Sequence, residues 1–171
     1  MDDAEAITRV NVETWQSSYQ GIFPDEFLAK RSFAKHLEST RNLLQNLPPK
    51  TTACVAVVPL AGVVGFAFGG TAREQLQDFD GELHGLYVLK EYQRHGLGRL
   101  LLKATATYCE VSKFRKMFAW TLAVSPYTAF YRKLGAVECS KKMRDFGPFT
   151  RELVAFGWPS ISDLLARLDL D

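Results

Sequence analysis

A chain of 171 residues, 47% hydrophobic and 23% charged, has the make-up of a soluble globular domain able to bury a core. Its net charge of +2 gives no case for nucleic acid or an anionic membrane, and no apolar run reaches the length of a membrane span. Cys54, Cys109 and Cys139 are odd in number and far apart, and His36, His84 and His95 show no ligand spacing. Together with the acidic start MDDAE, which is no signal peptide, they point to reduced thiols, no metal and a cytoplasmic location.

A first helix is expected over 4–18, capped by Asp2 or Asp3, with Ile7, Val10, Thr14 and Trp15 on one stripe and Gly21 after its end. Pro24 opens a second helical stretch and Ser32 caps its continuation. There Phe33, Leu37, Thr40, Leu44 and Leu47 mark a buried stripe, and Pro48-Pro49 stops it. Two β-rich runs, 52–58 and 63–71, are joined by Pro59-Leu60-Ala61-Gly62 as an antiparallel hairpin. A polar connection over 72–80 leads to a strand at 82–89.

Residues 97–111 carry Leu97, Leu100, Leu101, Ala104, Tyr108 and Val111 at helical spacing, and 116–124 (KMFAWTLAV) reads as a buried strand. Ser125-Pro126 is a helix start, a cap followed by proline. Tyr127, Phe130, Tyr131 and Leu134 then share a face, and Gly135 closes the helix. Strands at 136–144 and 150–157 flank a turn at Phe146-Gly147-Pro148. A tail helix lies within 159–171, with Ile161, Leu164, Leu165 and Leu168 on one side. The order α-α-β-β-β-α-β-α-β-β plus a tail helix describes one α+β domain over 1–171 with mixed strand directions.

The chain is organised around ELHGLYVLKEYQRHGLGR, residues 82–99, a strand-to-helix junction containing Gly96 and Gly98. Such a turn leaves backbone N–H groups unpaired at the positive end of a helix dipole, a site for an anion such as pyrophosphate; a plain tight turn is the alternative. A dinucleotide fingerprint is excluded, because Leu101 stands where its third glycine belongs, and no Gly-Lys-Ser/Thr of a P-loop occurs.

Gln93, Gly96 and Gly98 resemble the Gln/Arg-x-x-Gly-x-Gly/Ala loop of the GNAT-type N-acetyltransferase superfamily. Ser125–Ala136 (SPYTAFYRKLGA) is similar to that family's Asn-x-x-Ala-x-x-Phe-Tyr-x-x-x-Gly-Phe helix, through Phe130, Tyr131, Leu134 and Gly135. Ser125 stands where asparagine is common, and Ala136 replaces a phenylalanine. The element order also fits, apart from the family's first strand, for which no residues precede the first helix.

The resemblance implies a mostly antiparallel sheet flanked by helices, with acetyl-CoA as co-substrate. Its pyrophosphate would meet Gln93, Arg94, His95, Gly96, Leu97, Gly98 and Arg99, its arm Leu86, Tyr87 and Val88, and Ser125 would be a further cofactor-binding residue in the place of the family's asparagine. Tyr131 is the implied general acid, with the core aromatic as the reading from spacing alone. Glu82 and His84, two residues apart on one strand, are the candidate bases, facing the same side unless a bulge intervenes. Acceptor lining is expected at Trp15, Tyr19 and Phe23, near the junction of the first two helices. The implied reaction is acetyl transfer from acetyl-CoA to a primary amine on a small molecule or peptide, by direct attack in a ternary complex. No cysteine falls in either motif to suggest an acyl-enzyme. A non-catalytic CoA-binding sensor or subunit, an O-acetyltransferase and a homodimer stay open.

Overall fold

The computed structural model describes residues 3–170. They form α1 (Asp3–Ser18), α2 (Asp25–Ala29), α3 (Phe33–Gln45), β1 (Thr51–Val58), β2 (Gly62–Leu76) and β3 (Phe79–Val88). There follow α4 (Leu97–Val111), β4 (Met117–Leu122), α5 (Thr128–Lys133), β5 (Val137–Phe146), β6 (Phe149–Trp158) and α6 (Ile161–Asp169). The strands make one sheet, ordered β1-β2-β3-β4-β6-β5, antiparallel except for β3 against β4. The fold is thus the expected α+β arrangement, and among the described residues no strand precedes α1. Asp2, a candidate cap, lies outside those residues, and Asp3 is already helical.

α1 covers one face of the sheet, where Ile7 and Val10 meet Val64, Phe66 and Leu89. α4 covers the other face. Its buried stripe is Leu101, Leu102, Thr105, Ala106 and Cys109. That departs from the expected stripe, for Leu100 and Val111 are 62% and 70% exposed. Three consecutive leucines allow two stripes, and β2 selects between them. A Cβ on Gly65 would lie 3.2 Å from Leu101 Cδ1, and one on Gly69 only 2.3 Å from Thr105 Cγ2. The two glycines therefore open the seat into which that side of α4 settles.

α3 also differs from expectation. It has no fully buried residue, and Phe33 is exposed. The helix overhangs the sheet and turns half-buried His36 and Thr40, with exposed Leu43, toward a cavity. The polar stretch 72–80 is no loop. β2 and β3 continue through it as a hairpin ribbon that closes at Leu76 and Phe79, and polar side chains suffice where much of the ribbon is wet. Ser125 begins a turn, and α5 starts only at Thr128: Ser125 Oγ accepts from the Tyr127 N–H at 3.2 Å, within the turn that precedes the helix.

The feature that makes room for chemistry is the join between β3 and β4. They pair only over Gly81–Leu83 against Met117–Ala119 and then diverge. Beyond that point β3 bonds to β2 alone and β4 to β6 alone, leaving a wedge between two half-sheets.

Candidate active site

At the open end of the wedge, β3 passes through the single helical turn Lys90–Tyr92 into the loop before α4. Arg94 and Gly96 adopt left-handed φ of 67° and 80°, and Gly96 caps α4 with its carbonyl, which accepts from Arg99 N at 2.9 Å and Leu100 N at 3.1 Å. Among the described residues, the five consecutive N–H groups from Arg94 to Gly98 have no acceptor. They converge on the positive end of α4, which is a cradle for phosphate oxygens. Gln93 holds the loop in place, its Nε2 donating to Val88 O at 2.9 Å and to the Tyr127 hydroxyl at 3.3 Å. Gly98 lies against Phe130, where even a Cβ would sit 3.5 Å from the ring. Arg94 and His95 are exposed, while Arg99 donates to Arg167 O at 3.1 Å and ties the loop to α6.

Across the wedge, α5 carries Tyr131. Its ring stacks on Phe156 with centroids 5.6 Å apart and meets Trp158 edge-on at 5.9 Å. Only 9% of the residue is exposed, yet its hydroxyl has no hydrogen-bond partner among the described residues. Burial, followed by the field of Tyr87, pushes its pKa well above the usual tyrosine value, so the phenol stays protonated. Ser125 is buried with its Oγ turned to Tyr127 N–H, where it sets the entry into α5.

Near the vertex of the wedge stands Glu82, paired in the sheet with Gly70 on one side and Phe118 on the other, and 1% exposed. Burial favours its neutral form, but Arg73 overrides this. The Arg73 guanidinium grips both carboxylate oxygens, and Arg73 N donates to Oε2 at 2.9 Å, so the acid is held below the ordinary glutamate range.

His84 follows on the same side, its Nε2 lying 3.9 Å from Glu82 Oε2 and 3.0 Å from Thr71 O. A carbonyl only accepts, so Nε2 carries the proton and Nδ1 is the basic nitrogen. Burial, helped by Arg73, lowers the pKa of His84 and keeps it neutral. The bulge that the sequence left open is present. Leu83 and Gly85 are paired with the adjacent residues Gly69 and Phe68, so His84 is the extra one. His84 and Gly85 therefore both face the α1 side with Tyr87, whereas Leu83, Leu86 and Val88 face α4.

On that α1 side lies a cavity of about 460 Å³ between α1, α3 and the β2–β3 surface, bordered by His84, Gly85 and Tyr87. The expected acceptor residues are placed elsewhere. Phe23 is 2% exposed and belongs with Leu28, Leu122 and Leu153 to a separate aromatic cluster that also takes Trp15. They pack there because α2 must cover β4 and β6. Tyr19 joins the cluster through Trp15, at 4.5 Å, with the phenols of Tyr87, Tyr131 and Tyr127 in its neighbourhood. Burial, then these phenols, raises its pKa.

A family model described as the Acetyltransferase (GNAT) family matches residues 11–136, from within α1 to just past α5. The chain belongs to that family. Over 169 residues it is 28% identical to a Bacillus subtilis (strain 168) protein named "Uncharacterized N-acetyltransferase YuaI", spanning 99% of this chain and 95% of that one. Its fold is similar to that of PaiA N-acetyltransferase from Thermoplasma acidophilum, solved in complex with coenzyme A (TM-score 0.66, 20% identity, 91% and 93% of the two chains). A GCN5-related N-acetyltransferase from Rhodopseudomonas palustris gives a TM-score of 0.71 at 15% identity, over 91% and 88%. Acetyl-CoA is the co-substrate of this GNAT protein, and the free N–H groups at 94–98 and the wedge fit its pyrophosphate and extended arm.

Sequence reasoning missed Arg73, Arg31 and Tyr127. Arg73 lay in the stretch taken for a loop, nine residues from Glu82. Tyr127 joins three elements, its hydroxyl 2.9 Å from Ser18 Oγ and near Gln93, and only the shared face of α5 hinted at it. Nothing in the local pattern marked Arg31.

Proposed function

We propose that this GNAT protein is an N-acetyltransferase that moves an acetyl group from acetyl-CoA to a primary amine by direct attack within a ternary complex. The observation that carries the reading is the Tyr131 hydroxyl, at the accessible tip of an otherwise buried side chain, protonated and without a partner among the described residues, on the helix facing the phosphate cradle. A core tyrosine normally finds a partner for its hydroxyl, whereas a proton donor keeps it for the substrate.

The roles divide as follows. N–H groups of Arg94 to Gly98 hold the pyrophosphate, with Gln93 fixing the loop and Leu86, Tyr87 and Val88 bordering the arm. Neutral His84 accepts the amine proton at Nδ1, directly or through water, while Glu82 and Arg73 position it. The amine nitrogen then bonds to the acyl carbon, the carbon–sulfur bond breaks, and Tyr131 donates a hydrogen bond or its proton to the departing sulfur. Tyr19 has the phenols of Tyr87 and Tyr131 in its neighbourhood. Ser125 acts by starting the α5 turn. Three free thiols support a reducing, cytoplasmic setting.

The test is release of CoA thiol from acetyl-CoA with a panel of amines and alcohols. Amine-dependent release is expected. CoA binding with no release for any acceptor makes the protein a binding module, and release with alcohols alone makes it an O-acetyltransferase.

A further inference from the structure

The cavity on the α1 side is unusual in its charge. Among the described residues no aspartate or glutamate lines it, while Arg31, Arg73, His36 and His84 do, around an apolar floor. Of the two guanidiniums, Arg73 is matched by Glu82. Arg31 is half-buried and has no carboxylate partner among the described residues. Its Nε and one terminal nitrogen donate to Asn11 Oδ1 at 3.2 and 2.7 Å, and its plane lies 4.1 Å over the Trp15 ring. A neutral amide and an aromatic face orient the cation without neutralising it. Burial accordingly lowers its pKa, an effect that the nearby phenols of Tyr87 and Tyr19 oppose only in part. A half-buried cation without a counter-ion is only partly solvated, and an incoming carboxylate would supply one.

Building on the acetyl-transfer reading, we propose that the acceptor is an amine that also carries a carboxylate on an apolar body. The carboxylate sits on Arg31, the apolar part on Ile7, Leu43, Phe66 and Phe68, and the amine is presented to His84. The volume suits a ligand of amino-acid to dipeptide size. Polycationic acceptors such as polyamines and aminoglycosides are disfavoured, since they need acidic lining that this cavity does not have.

The test measures binding in the presence of CoA by calorimetry, so that it does not depend on turnover. The probes are L-phenylalanine, L-phenylalanyl-glycine, L-phenylalaninamide and spermidine, with acetyl transfer followed in parallel. The carboxylates should bind at least roughly 10-fold more tightly than the amide, the scale of one charge-assisted hydrogen bond. A free amino acid as the source predicts L-phenylalanine first, and a peptide terminus predicts the dipeptide. Arg31→Gln should abolish the preference, and Arg31→Lys should restore part of it. Equal binding of amide and carboxylate, a preference that survives Arg31→Gln, tighter binding of spermidine, or no binding at all overturns the inference. Carboxylate-selective binding without any transfer would retire the acetyl-transfer reading and leave this one standing. Transfer to spermidine alone would do the reverse.

Discussion

Replacing Tyr131 by phenylalanine separates chemistry from packing more sharply than any other change. The ring contacts with Phe156, Trp158 and Phe130, at 5.6, 5.9 and 5.4 Å, all survive the substitution. No intramolecular hydrogen bond is lost, because the hydroxyl has no partner among the described residues. Stability should therefore stay within about 1 kcal/mol of wild type, which for a chain of this length moves the melting temperature by no more than about 2–4 °C. Turnover is another matter. Loss of a positioned proton donor removes on the order of 10²–10⁴-fold in rate, or about 3–5 kcal/mol of barrier.

The alkaline side offers a second readout. The raised folded-state pKa of Tyr131 means that its contribution to stability is intact below the unfolded value near 10 and is lost as pH rises beyond it. Tyr131→Phe should thus be less sensitive to alkali than wild type. A melting curve, an alkaline titration of folding and a thiol-release assay at saturating substrates cover the three outcomes. Wild-type turnover in a folded Tyr131→Phe protein would refute the assignment of the proton to this residue.

Gly96→Val should weaken CoA binding by roughly tenfold or more, because a β-branched residue resists the φ of 80° that aims the loop's N–H groups; calorimetry checks it. Arg73→Ala should cost about 2–3 kcal/mol in chemical denaturation, less than for a wholly buried pair because Arg73 is half-exposed while Glu82 is sealed in. Glu82 stabilises the fold above the ordinary glutamate pKa and ceases to as pH falls through its lowered value, so wild type should lose stability only in strong acid. The acid limb of kcat/KM should fall at a pH below the 6.5 of an ordinary histidine, reflecting His84, and should vanish in His84→Gln along with most of the activity.

The strand and helix order was readable from periodicity because most elements bury a face. The loop at 93–98 stood out because Gln93, Gly96 and Gly98 matched the family's motif at a strand-to-helix junction, where glycines alone would equally have served a plain tight turn. What escaped notice depended on partners distant in sequence. The stripe of α4 is chosen by Gly65 and Gly69, thirty or more residues earlier, and no property of the helix itself breaks the tie. The ribbon at 72–80 looked like a loop because a wet two-stranded extension has no apolar face to reveal it. Trp15 and Phe23 have the character of pocket aromatics, but α2 needed them to roof β4 and β6. Arg31 became informative only once its surroundings showed no carboxylate.

The extra residue at His84 also makes β3 a strand with two reading frames. Before it, odd-numbered side chains point to α4; after it, even-numbered ones do. Deleting Gly85 would remove the extra residue and restore strict alternation, with Leu86 and Val88 still toward α4 and Tyr87 still toward the cavity. Deleting Leu86 would instead turn Tyr87 into the α4 core and Val88 toward the cavity. Single-residue deletion should therefore be absorbed best at 84–85, where it only flattens the bulge, and be most damaging at 86–88, where it inverts every following side chain of the strand. In this part of the molecule, function is encoded in the parity of the count as much as in the identity of the side chains.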